Sequence, residues 1–108
     1  MNTEENNKMI AEFMRLELEE TLEGLFVYAK KEQSPIKLND IRTEFYEVHE
    51  LKYHNNWDWL IPVMEKILNK ADDDELIERF YEIQNVIPNL EATYKAVVVF
   101  INQYNKTK

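Results

Sequence analysis

His49 and His54 are the two imidazoles of the chain, five positions apart in His49-Glu50-Leu51-Lys52-Tyr53-His54. The stretch invites comparison with His-Glu-x-x-His, in which two rings on one helix face hold zinc. It is one residue too long. Positions four apart on a helix differ by about 40°, whereas positions five apart differ by about 140°. A helix therefore could not aim both rings at one metal, and no third ligand is indicated. We read no metal site and no cofactor here, and expect His54 to pack beside Trp57 or to help cap the following helix. An enzyme built on these residues would need His49 or His54 to meet a carboxylate in a cleft.

Other chemistry lacks its parts. Ser34 is the only serine and precedes a proline, the chain has no cysteine, and its single glycine cannot build a phosphate-cradling loop. No catalytic residue is assigned, and the expectation is that the protein is not an enzyme. Asp72-Asp73-Asp74-Glu75 could be read as a cation site, but calcium loops alternate their ligands and place Gly at the sharp turn. Consecutive acids suit a solvated helix start instead, where the macrodipole favours negative charge. Glu17, Glu19, Glu20 and Glu23 suit an exposed face. Trp57 and Trp59 stand two apart, so on a helix they point in well-separated directions and one is expected to be less buried. Trp57, with His54, is the candidate binding residue, because tryptophan is favoured at interface hot spots.

The elements that must position these groups follow from periodicity. Leu60, Val63, Met64, Ile67 and Leu68 recur at helical spacing, with Asn55, Asn56 or Asp58 as cap. Pro62 belongs in or near the first turn of that helix, with a kink allowed. Asn2 to about Leu18 reads as an amphipathic helix capped by Thr3. Leu22, Leu25 and Phe26 would continue its stripe, but β-branched and aromatic content favours a strand from Leu25 to Tyr28. Lys30 to Pro35 reads as a turn and Ile36 to Leu38 as a returning strand. Ile41 to Leu51 is read as a short helix capped by Asp40. Asn69 to Glu75 is a charged linker; Leu76 to Ile87 and Leu90 to Tyr104 are two further helices, with residues from Asn102 onward fraying. The fold class expected is α+β, mostly helical, with about four to five helices and a small β-hairpin near residues 25–38. The predicted core holds Ile10, Phe13, Met14, Trp59, Leu60, Val63, Met64, Ile67, Phe80, Val97 and Ile101.

Composition bounds the rest. The 108 residues suit a single globular domain, and the apolar share of 44% is too rich for a disordered chain. No run is long and apolar enough for a membrane span. A net charge of −8 has the wrong sign for phosphate neutralisation, so no nucleic-acid and no membrane partner is expected.

The run from Tyr53 to Ile67 fits Tyr-His-x-x-Trp-Asp-Trp-Leu-x-Pro-Val-x-Glu-Lys-Ile, and in this it resembles small bacteriophage- and prophage-encoded proteins. Asn7 to Met14 and Glu91 to Val98 match the same group, in the expected order. The resemblance implies a phage origin and no particular activity; the stretches Arg15 to Glu50 and Asn69 to Asn89 are particular to this chain. The function expected is that of a small cytoplasmic protein-binding module, its partner another protein or a second copy of itself. Two alternatives stand beside it: an enzyme with a His/carboxylate site, and an acidic nucleic-acid mimic that presents a helix face to a basic host protein.

Overall fold

The structure, a computed structural model, describes residues 3–33 and 41–106, and the side chains of 3–30 and 43–106. It is α+β and mostly helical. In chain order it has α1 (Thr3–Phe13), β1 (Glu17–Glu20), β2 (Phe26–Gln33), β3 (Ile41–Tyr46), a 3-10 turn (Val48–Glu50), α2 (Trp57–Lys70), α3 (Asp74–Val86) and α4 (Leu90–Lys106). Among the described residues no helix is long and apolar enough to cross a membrane.

Helix α1 stops well short of Leu18. Arg15 adopts φ 58, Leu16 N–H bonds to Ala11 C=O at 3.0 Å and Arg15 N–H to Glu12 C=O at 3.0 Å. These are the two bonds of a Schellman end, with an arginine where glycine is usual. Thr3, expected as the cap, is itself helical.

The chain then turns back as a hairpin. Thr21 N–H bonds to Leu25 C=O at 2.7 Å, Gly24 N–H bonds to Thr21 C=O at 3.0 Å, and Gly24 takes φ 82. This is the three-residue loop in which the last position is left-handed, the conformation that glycine adopts without strain. The hairpin therefore spans β1 and β2, earlier than residues 25–38. Lys30 to Gln33, read as a turn, continue β2; the Ser34-Pro35 turn and the strand at Ile36 to Leu38 lie outside the described residues. Ile41 to Tyr46 is a strand, not the expected helix, because Ile41, Phe45 and Val48 fit either period and the pairing with β2 decides. That pairing sets Tyr28 opposite Tyr46 and Lys30 opposite Glu44. The sheet order is β1-β2-β3, antiparallel throughout.

The three later helices start where short polar caps predict. Asn56 Oδ1 accepts from Asp58 N–H at 2.8 Å, Asp73 from Leu76 N–H at 2.9 Å and Asn89 from Ala92 N–H at 2.9 Å. Pro62 sits inside α2, beyond its first turn, and the helix continues through it to Lys70. Asn102 does not begin a frayed end, since α4 runs on to Lys106.

One core joins the helices and the inner face of the sheet. Ile10, Leu60, Val63, Ile67, Val97 and Ile101 have no exposed surface, and Phe13 and Trp59 are buried with them. Met14, Met64 and Phe80, predicted as core, are only partly covered and pack against its edge. Trp59 ties the sheet to α2. Its ring meets Tyr46 at 4.8 Å and Tyr53 at 5.2 Å, both edge-on, and the Lys30 ammonium lies 4.5 Å above it. Helices α1 and α4 run parallel: Tyr94 reaches the Thr3 carbonyl at 3.4 Å, and ten residues on, Tyr104 meets the Phe13 ring at 5.5 Å.

Candidate functional site

The two histidines are separated into different environments. His54 is partly buried between α1 and α4, where its ring meets Tyr94 edge-on at 6.1 Å. Its Nδ1 lies 3.0 Å from Nδ2 of Asn7, a side chain with 2% exposure. The same amide donates to the Leu51 carbonyl at 3.1 Å, and its Oδ1 accepts from the Tyr94 hydroxyl at 2.9 Å. The amide oriented this way makes His54 Nδ1 an acceptor and puts the neutral ring's proton on Nε2. Burial pushes the Tyr94 phenol up to about 12, against a smaller opposing contribution from the Asn6 amide. His54 does not cap α2, which Asn56 caps. It belongs to a buried polar lock that joins α1, α4 and the segment before α2.

His49 is exposed on the 3-10 turn, its Nδ1 3.3 Å from a Glu47 carboxylate oxygen. Glu47, His49 and Glu50 bring three potential ligand atoms within 4.8 Å of one another. Glu50 already accepts from the Glu47 backbone N–H at 2.9 Å, so the cluster is also a local capping arrangement. His49 and Glu50 are exposed and Glu47 is half-buried. Asp73 of the acidic run is occupied in capping α3, and its neighbours are exposed. Of the tryptophans, Trp59 is buried and Trp57 is partly covered against the core.

The acids Glu17, Glu19, Glu20 and Glu23 do not form a helix face. The first three lie on β1, an edge strand exposed along its whole length, and Glu23 lies in the hairpin loop. Register puts Glu17 beside Ala29 and Phe45 and Glu19 beside Val27 on the outer face, with Leu18 and Phe26 on the face of Tyr28. Around these acids stand exposed apolar side chains: Leu22 fully exposed at the loop, Phe26 at 60%, Phe45 at 54%, and Leu18 and Leu25 about half exposed. A groove of about 310 Å³ runs between Glu19, Glu20, Thr21, Val27 and Phe45 on the outer face. A second hollow of about 330 Å³ opens under the sheet between Leu18, Phe26, Tyr28, Lys8 and Val48.

The sequence signal for this surface was ambiguous, because Leu18, Leu22, Leu25 and Phe26 also fit a helical stripe. Comparison with known protein families, curated proteins and solved structures gives no match to the chain.

Proposed function

We propose that this protein is a binding module that docks a basic protein partner on its β1–β2 hairpin and adjoining sheet, and turns nothing over. The observation that carries this reading is the set of exposed apolar side chains around β1 and its loop: Phe45 on the outer face with Glu17 and Glu19, Leu18 and Phe26 on the opposite face with Glu20, and Leu22 and Leu25 at the loop with Glu23. Exposed apolar side chains gathered around an edge strand and rimmed by carboxylates are what an interaction site presents. The acids choose the occupant. Two copies brought together on this face would set carboxylates against carboxylates, and a nucleic acid would set them against phosphates, whereas a basic partner complements them. The resemblance of the run from Tyr53 to Ile67 supports a phage origin for the module.

The test uses an amphipathic peptide of alternating lysine and leucine as the probe, with light scattering to set the oligomeric state. The wild type should be monomeric and bind the peptide with an affinity that falls with salt. Leu22→Asn with Phe45→Asn, and separately lysine at Glu17, Glu19, Glu20 and Glu23, should each weaken binding at least about tenfold. Unchanged affinity in both variants overturns the reading. So does a dimer that Leu22→Asn dissolves, which would make a second copy the occupant.

A further inference from the structure

The C-terminal ends of α1, α2 and α4 gather around a cavity of about 250 Å³. Its lining includes Phe13, Arg15, Lys66, Lys70 and Tyr104, with Glu12 the one carboxylate. Lys66 lies over the Phe13 ring, its ammonium 4.9 Å from the centroid, and donates to the Phe13 carbonyl. Burial lowers the Lys66 pKa first, and the nearby charges of Arg15 and Lys70 lower it further. Among the described residues neither Arg15 nor Lys70 forms an ion pair. In a chain with 21 acids against 13 bases, three cations thus share one cavity and repel one another.

Compensation of helix ends explains part of this. Lys66 covers the last carbonyl of α1, and Lys70 stands in the last turn of α2. It does not explain why both converge with Arg15 on one hollow. Nor does it explain Arg15 itself, held at φ 58 where glycine would be unstrained. A strained non-glycine position points to a use for the side chain. Lys66 on the Phe13 carbonyl covers one of the carbonyls that the end of α1 would otherwise turn toward an anion.

We propose that this cavity binds a phosphate-class oxyanion, with Arg15, Lys66 and Lys70 as its donors. The guanidinium offers a paired set of N–H groups and the ammoniums act as point charges, the combination that phosphate recognition uses. Three positive charges against the single carboxylate of Glu12 favour a dianion over a monoanion.

Inorganic phosphate is the probe, titrated calorimetrically and by thermal shift at constant ionic strength with chloride as background. The wild type should show saturable binding, with acetate markedly weaker. Arg15→Gly, which relieves the backbone and keeps the helix end, and Lys70→Gln should each weaken phosphate binding by about tenfold or more, with far-UV circular dichroism unchanged. The absence of saturable phosphate binding overturns the proposal. So does acetate bound as tightly as phosphate, or wild-type affinity in both folded variants, which would put the ion elsewhere on the surface.

Discussion

Tyr94 donates its hydroxyl to Asn7 at 2.9 Å, joining the last helix to the first across 87 positions of sequence. The amide it meets is buried and also holds the Leu51 carbonyl and the His54 ring. Asn7→Ala removes the common partner of three groups at once. Each buried polar group left unpaired costs about 1–3 kcal/mol, although the Tyr94 hydroxyl can turn to the Thr3 carbonyl. A loss of about 2–4 kcal/mol is expected in urea denaturation. A loss below about 1 kcal/mol would mean that the lock contributes little.

Alkali should unfold the protein through its buried phenols. Tyr94 is raised to about 12, and burial raises Tyr53 and Tyr28 as well. In the unfolded chain these groups ionise near their ordinary value of 10.0, so above that pH the unfolded state holds fewer protons than the folded one. Stability is therefore full below about pH 10 and falls as pH rises through about 12. Tyr94→Phe should be less stable at neutral pH but lose less between these limits. Parallel curves for the two proteins in thermal melts against pH would refute the assignment to Tyr94.

Leu60 and Ile67 have no exposed surface and face the same core as Val97 and Ile101. Leu60→Ala or Ile67→Ala should each cost about 2–5 kcal/mol, a large part of the total for a domain this size. A melting temperature within a degree or so of wild type would contradict the core described for α2.

Arg15→Gly should be neutral or stabilising, by up to about 1 kcal/mol, as relief of the left-handed strain outweighs the added freedom of the unfolded chain. The same change at Glu12, inside the helix, should cost about 1 kcal/mol. Chemical denaturation of the two variants side by side distinguishes them, and equal losses would mean that position 15 carries no strain.

The helices α2, α3 and α4 were legible because apolar residues at helical spacing followed Asn56, Asp73 and Asn89, each of which caps as a short polar side chain should. The segment Ile41 to Tyr46 was not, since its apolar residues fit both periods and only pairing with β2 decides. The end of α1 was hidden for a related reason: Leu18, Leu22 and Leu25 prolong the helical stripe, and an arginine occupies the position where a glycine would have announced the stop. The predicted core is sound along α2 and α4 except at the half-covered Met64, yet it leaves out Leu51 and Phe100, both fully buried. Asn7 was invisible as a core residue because its burial depends on Tyr94 and His54, groups brought to it only by the fold. Trp57 and His54 were singled out by residue type; the exposed apolar residues of the hairpin were not, because leucines and glutamates carry no motif.

The central claim, a basic partner docked on the hairpin, is tested most directly by amide chemical shifts recorded during titration with the lysine–leucine peptide. The shifts should cluster at Glu17 to Ala29 and at Thr43 to Tyr46, with Leu22, Val27 and Phe45 among the largest, and should fade as salt is added. Shifts confined to α3 and α4, or none at saturating peptide, would contradict it.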